Sequence, residues 1–253
     1  GGVGGMGGVG GMGSTYQDVV IGDDPLAYWT FDADVPQTFE NVLPDGLMRQ
    51  ADLIGALAEL AGYPLFPGSV DALDLTTSTA TAATEGNVLA FPNSQPFSLE
   101  AWIEVLNFSG DQIIITRAGN VNAMFQGYRL LAQDDRLRFL RYQNGGADVA
   151  AVDLSLGVQY VVATFNGACM CLFRIQPTPG SPTVDSQCTP SNKQLTGEHP
   201  FRLGVNTPAF HFAGRLDDVA VYNDDLTVAQ IRTHYEASGA GGSPAPFPVQ
   251  GCP

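Results

Sequence analysis

The sequence predicts an all-β fold of two packed antiparallel sheets, with one short C-terminal helix and a glycine-rich N-terminal stem. Three observations support this prediction. Apolar and polar residues alternate along many segments, clusters of Gly, Asn, Asp and Pro separate these segments, and 253 residues suffice for a sizeable core. The 30 glycines and 17 prolines suit a turn-rich β fold, and only 15% of the residues are charged.

The chain opens with GGVGGMGGVGGMG, a six-residue unit that occurs twice and is closed by a further Gly. Its non-glycine residues are Val3, Met6, Val9 and Met12. A threefold polyglycine-type helix would align these four side chains along one edge, but alone it would leave backbone groups unpaired. We therefore expect residues 1–13 to be an assembly stem that packs against copies of itself. The alternative is a flexible linker, of which this composition is typical.

The segment FSLEAWIEV, from Phe97 to Val105, alternates over a full strand. Every second residue from Phe97 is apolar and shares one face. The other face carries Ser98, Glu100, Trp102 and Glu104. Similar segments are LAYWTF, DQIIITR, YRLLAQ, RLRFLRY, VQYVVATF, FRLGV and GRLDDVAVY.

Two stretches depart from this alternation. Residues 46–61, GLMRQADLIGALAELA, predict an amphipathic turn or short helix. Near the end, Thr227 followed by Gln230 predicts a helix N-terminus, with Leu226 placed to pack against Ile231 and the helix ending at about Ala237. The Pro/Gly-rich tail that follows cannot form regular structure.

The four cysteines predict two disulfides and an oxidising compartment. Cys169 and Cys171 share one strand face, so a bond between them is unfavourable. A turn at Pro179 and Gly180 would place Cys171 opposite Cys188, which favours that pair and leaves Cys169 for Cys252. The alternative is four free thiols.

The net charge of −15 excludes several partners. There are 26 acidic and 11 basic residues, and Lys193 is the only lysine. Nucleic acid requires clustered Lys and Arg, so we expect no nucleic-acid partner. No apolar run reaches the length of about 18 residues that spans a bilayer, so we expect no membrane insertion.

The order and spacing of several segments resemble the laminin-G-like, concanavalin A-like jelly-roll modules. These segments are LAYWTFD, LFPGSVDALDL, FSLEAWIEV, VQYVVATFNG, FRLGV and FAGRLDDVAVYNDDLTVAQIRTHY. The resemblance covers about residues 16–237. It implies a two-sheet jelly-roll sandwich of a kind used outside cells to bind sugars or proteins. We therefore expect a jelly-roll domain over residues 14–237 and a tail over residues 238–253.

Catalysis is not expected. Glycosidases with this fold place paired carboxylates on one strand face, and the nearest candidates are Glu100 and Glu104. The Glu-x-Asp-x-x-Glu pattern of that family is absent, and Trp102 stands between the two acids. The three histidines are far apart without zinc-site spacing, and we expect His234 to be a packing residue of the terminal helix.

The candidate ligand-binding residues lie on two predicted strands. Trp102 shares a face with Glu100 and Glu104, which predicts partial exposure, while Arg136 and Arg138 line one face of another strand that also carries Tyr142. The alternative is that strand aromatics such as these belong to the core.

Calcium is the one metal that the sequence favours, and no other cofactor is expected. Asp32, Asp217 and Asp218 supply carboxylate oxygens near strand ends. The alternative comes from the resemblance: in similar modules an acidic pair at the Leu-Asp-Asp position orients the first and last strands through hydrogen bonds.

Together these features predict a non-enzymatic structural or adhesion subunit at an extracellular or virion surface. It would be a virion fibre or decoration protein, or a filament subunit, which assembles through the stem and contacts a glycan or surface protein through the jelly roll. The alternative is a monomeric secreted module that binds carbohydrate or protein, with Ca²⁺ as a candidate ion.

Overall fold

The two predicted antiparallel sheets are present. The computed structural model describes residues 15–32, 38–39, 42–43, 51–54, 59–76, 81–84, 89–196, 199–204, 210–248 and 252. The two sheets, here called sheet A and sheet B, pack face to face around a common apolar core. The predicted stem, with Val3, Met6, Val9 and Met12, lies outside the described residues.

Sheet A contains the first and last strands, with strands numbered along the chain. They are β1 (Ala27–Trp29), β4 (Glu59–Leu60), β5 (Leu73–Asp74), β7 (Phe97–Val105), β12 (Gly157–Phe165), β13 (Cys169–Gln176), β14 (Thr183–Pro190) and β16 (Gly214–Tyr222). Their order is β14-β13-β12-β7-β16-β5-β4, and β1 pairs with the other part of β16. The central strand β7 therefore has neighbours on both sides.

Sheet B is built mainly from consecutive hairpins. Its strands are β2 (Thr38–Phe39), β3 (Ala51–Ile54), β6 (Thr81–Thr84), β8 (Gln112–Val121), β9 (Met124–Gln133), β10 (Arg136–Gln143), β11 (Gly146–Asp153) and β15 (Arg202–Leu203). Their order is β11-β10-β9-β8-β15-β6-β3-β2.

Two-residue turns set the register from β8 to β11. Their residues have positive φ angles of 50° to 79° and are Asn122 and Ala123, Asp134 and Asp135, and Asn144 and Gly145. Positive φ at both turn positions matches the right-handed twist of the strands. The turns thereby decide which side chains of β9 and β10 point out of the sandwich.

Two short helices lie on sheet A. Helix α2 (Val228–Ala237) begins at Thr227 with the predicted capping box to Gln230, and Leu226 and Ile231 are buried in one cluster. Helix α1 (Tyr16–Gly22) was not predicted, and it also begins with a capping box. No helix among the described residues is long and apolar enough to cross a membrane.

The prediction of a turn or helix over residues 46–61 is wrong where the structure describes this stretch. Residues 51–54 form β3, and residues 59–60 form β4. The pairing of these strands with β6 and β5 overrides the weak local helical preference.

Side chains of β14 close the edge of sheet B. The β11 amides of Ala151 and Asp153 donate to the side chains of Gln187 and Asp185, which project from β14. Unpaired strand edges invite pairing with other chains, so these contacts blunt one edge of the sandwich.

The disulfides join Cys171 to Cys188 and Cys169 to Cys252, the pairing that the sequence favours. The first bond crosses from β13 to β14, and the second fastens the tail to sheet A. Within the described part of the tail, Phe247 also packs edge-on against Phe173 at 5.0 Å.

The two disulfides should differ in their contribution to stability. They close segments with sequence separations of 17 and 83 residues. Chain entropy predicts that Cys171→Ser/Cys188→Ser lowers the free energy of unfolding by about 3 kcal/mol and Cys169→Ser/Cys252→Ser by about 4.5 kcal/mol. Urea denaturation of both double variants measures this difference, and the reverse order would contradict the loop-entropy account.

Candidate functional site

The outer face of sheet A is covered by other parts of the chain. A second apolar cluster fills the space between this face and the two helices, the loop before β5 and the tail. Trp102 lies in this cluster, stacked on Phe66 at 4.7 Å and on Tyr235 at 5.9 Å. The expectation of a partly exposed Trp102 that contacts ligand is wrong, because its side chain is fully buried.

A buried carboxylate joins five elements beneath these helices. One oxygen of Glu100 on β7 accepts hydrogen bonds from Tyr16 and Tyr160, each at 2.7 Å. The other accepts from Tyr222 at 2.6 Å and lies 2.9 Å from Nδ1 of His234. These five residues, here called the Glu100 cluster, come from α1, β7, β12, β16 and α2.

The imidazole of His234 lies between two carboxylates. Its Nε2 is 2.8 Å from Asp23, directly after α1. Burial lowers the pKa of His234, but the charge and hydrogen bonds of Glu100 and Asp23 outweigh burial and raise it to about 9. Burial raises the pKa of Glu100, but the charge of His234 and the hydrogen bonds to the carboxylate leave it below its ordinary value. His234 is thus an ion-pair residue and not only a packing residue.

The Glu100 cluster has no access to solvent. The side chains of Glu100 and His234 are both 0% exposed, so no substrate reaches them. Glu104 is separate, since it pairs with Arg215 and accepts a hydrogen bond from Tyr63. The two glutamates therefore do not form an open pair of carboxylates, and the cluster ties the helices to sheet A.

The three candidate calcium ligands lie near the join of the first and last strands. Tyr28 on β1 donates to Asp218 on β16, and these strands pair. Asp217 accepts from the Leu65 amide at 3.3 Å, while Asp32 accepts from two amides in the loop before β5. These hydrogen bonds match the strand-orienting role implied by the resemblance.

As a calcium site these residues fit only in part. One oxygen of Asp217 is buried without a hydrogen-bond partner, and burial raises the pKa of this carboxyl to about 7. However, Asp32, Asp217 and Asp218 do not bring one oxygen each to within 4.8 Å of one another. Calcium binding there stays a prediction.

The outer face of sheet B carries a group of partly exposed arginine and aromatic side chains. Arg136, Arg138 and Tyr142 alternate along β10, and the register places Arg129 of β9 and Arg202 of β15 on the same side. An apolar cluster of Ile113, Leu131 and Leu140 lies between the strands, with Tyr142 packed against it. We call this surface the open face. Three of the four predicted ligand contacts therefore come together here.

The arginines of the open face differ in their partners. Arg136 pairs with Asp153 at 3.3 Å and donates to the Ala151 carbonyl. Among the described residues, no carboxylate oxygen lies within 4.0 Å of Arg129 or Arg138, and the buried Nε atoms of both have no hydrogen-bond partner.

Aromatic rings hold Arg129 in place. Its guanidinium lies 4.2 Å from the centre of the Phe125 ring and 5.8 Å from that of Tyr142. The two rings contact each other edge-on at 4.7 Å. Burial lowers the pKa of Arg129, an effect that Tyr142 and Asp111 oppose, so this cation is partly desolvated.

The family model of the concanavalin A-like lectin/glucanases superfamily matches residues 75–232. The chain belongs to this superfamily. This membership confirms the resemblance inferred from the sequence.

Solved structures with a similar fold are binding domains of botulinum neurotoxins. The serotype D binding domain aligns with a TM-score of 0.62 at 13% identity, over 86% of this chain and 52% of that one. The binding domain of neurotoxin DC in complex with rat synaptotagmin II gives 0.60 at 14% identity, over 87% and 52%. A structure from a study of type C cell entry that depends on two ganglioside molecules gives 0.59 at 13% identity, over 87% and 52%.

These alignments cover about half the length of the neurotoxin chains, and at this identity they show the fold alone. No curated protein sequence matches the chain.

Sequence reasoning missed Arg129 and Arg202 as members of the open face. Each lies in an alternating segment, but their meeting with β10 depends on the register between strands. For Arg129 the available signal was the pair of two-residue turns flanking β9, which fixes its register with β8 and β10. Arg202 lies on β15, which is not joined to β8 by a hairpin turn.

The stability of the chain should fall as the pH rises from about 6 to above 9. The pKa of His234 lies above its ordinary 6.5, so its contribution is complete below pH 6.5 and is lost as the pH passes 9. His234→Gln should cost about 3 kcal/mol at pH 6 and much less at pH 10. Denaturant unfolding across this range measures the slope, and an equal slope in the variant would contradict the assignment.

Removal of the Glu100 charge should destabilise the chain strongly. Glu100→Gln leaves a buried imidazolium with one carboxylate partner, and the expected cost is about 3–5 kcal/mol in the free energy of unfolding. The control is Glu236→Gln, whose surface ion pair with Arg232 contributes at most about 1 kcal/mol. Similar costs for both variants in urea unfolding would count against the Glu100 cluster.

Proposed function

We propose that this chain is a secreted or surface-exposed binding module that recognises a glycan through the open face of sheet B. The observation that carries this proposal is the group of partly exposed arginines and aromatic rings that packs over a buried apolar cluster. The corresponding face of sheet A is covered by helices and by the tail. Binding is therefore better supported than catalysis.

The family and the disulfides support the same proposal. The superfamily contains lectins as well as glucanases, and the similar neurotoxin structures are binding domains. Two disulfides are typical of proteins that mature in an oxidising, extracytoplasmic compartment.

The role as a virion fibre, decoration or filament subunit depends on residues 1–13 and stays a prediction. Its support is the repeated GGVGGM unit alone. A stem that assembles copies and a face that binds glycan are compatible, because they use different parts of the chain.

The ring of Tyr142 should contribute directly to glycan binding. Tyr142→Ala removes the aromatic surface beside Arg129 and should weaken binding of a glycan found in a screen by about 10-fold, as expected for the loss of one ring contact. Titration calorimetry on the full chain measures this change.

The matched control is Tyr63→Ala. Tyr63 is also an accessible tyrosine near an arginine, Arg215, but it lies on the sheet A side of the molecule. Equal loss of affinity in both variants would show that the glycan site is not on the open face. The absence of any glycan ligand would contradict the proposed function.

A further inference from the structure

We infer that the ligand of the open face is an acidic linear glycan, in which carboxylate or sulfate groups recur along the sugar chain. This inference rests on the proposed function and names the chemical class of its ligand. Its basis is the placement of three arginines that have no ion pair among the described residues, together with the aromatic rings beside them.

Arg202, Arg129 and Arg138 form a diagonal row across the sheet. Arg202 and Arg129 both face Thr116 in the register, one from each side. Since neighbouring strands lie about 4.8 Å apart, the backbones at these two arginines are about 10 Å apart. Arg138 follows on the next strand, two positions out of register with Arg129 and about 7–8 Å away.

The charge of this row is balanced only in part, since Asp111 lies near enough to Arg129 to oppose the lowering of its guanidinium pKa by burial. Among the described residues, none of the three guanidinium groups has an ion pair, whereas Arg136 and Arg232 each have one and Arg215 has two. A protein with 26 acidic and 11 basic residues has carboxylates available for pairing. Three unpaired arginines on one surface therefore favour an anionic ligand.

Guanidinium geometry selects the type of anion. The planar fork of Arg donates two parallel hydrogen bonds to a carboxylate or sulfate. The aromatic packing of Arg129 restricts its side chain before the ligand arrives, so less conformational entropy is lost on binding.

The surface between the charges favours a sugar backbone over a peptide or nucleic acid. The partly exposed ring of Tyr142 packs on the buried Leu131 and Leu140 and offers an apolar surface for the C–H face of a sugar ring. Three cations can each pair with one recurring acid group of a sugar chain, whereas the affinity for a nucleic acid comes from a larger number of phosphate contacts. At physiological salt the Debye length is about 8 Å, so the acidic groups on other faces are screened from a glycan held here.

The test compares oligosaccharides of equal length with the full chain in titration calorimetry at physiological salt. The probes are an oligogalacturonate, a heparin-derived sulfated oligosaccharide, a neutral cello-oligosaccharide and a polyglutamate peptide. We expect at least one acidic sugar to bind, and Arg129→Gln/Arg138→Gln to weaken its binding by at least about 10-fold. The control, Arg232→Gln on α2, should bind as the unchanged chain does.

Each other outcome overturns a defined part of the account. Binding of the neutral sugar as tightly as the acidic ones, with dependence on Tyr142, overturns this inference and leaves the proposed function intact. If polyglutamate binds as tightly as the acidic sugars, the conclusion that the ligand is a glycan is overturned. If neither the probes nor any screened sugar binds, both this inference and the proposed function are overturned. If the double variant fails to fold, Arg202→Gln provides the same test from another strand.

Discussion

The buried carboxylate of Glu100 is the interaction on which the layout of this molecule depends. An ionised carboxylate in an apolar interior costs several kcal/mol unless its oxygens are hydrogen-bonded and its charge is paired. Here the donors come from α1, β12, β16 and α2. The charge is therefore satisfied only when both helices lie on sheet A, so one side chain couples the packing of elements far apart in sequence.

The coverage of sheet A determines where ligands can bind. With its outer face filled by the aromatic cluster around Trp102, the sandwich offers sheet B as its accessible sheet face among the described residues. The two-residue turns then fix which side chains of sheet B face outward. They point Arg129, Arg138 and Tyr142 to solvent, while Leu130 and Phe139 enter the core.

The sequence predicted the positions of the strands well, but it predicted less well which strand faces are buried and which are exposed. Alternation in β7 correctly separated Leu99 and Ile103 from Glu100 and Trp102. It could not reveal that helices cover the second face, because that depends on tertiary packing, and a polar residue on a strand face usually indicates solvent. Helix α1 has only seven residues, too few for a clear helical period, although its Thr15–Asp18 capping box was readable. The open face was predictable only in part. Alternation along β10 places Arg136, Arg138 and Tyr142 on one face, whereas the position of Arg202 depends on which strands pair.

The most direct test of this account is hydroxyl-radical footprinting of the free chain with mass spectrometry, which reports the solvent access of individual side chains. The account predicts oxidation of the partly exposed Phe125 and Tyr142 on sheet B, and protection of the fully buried Trp102 and Tyr160 on sheet A until the chain unfolds. Rapid oxidation of Trp102 in the native chain would contradict it, because sheet A would then be the open surface.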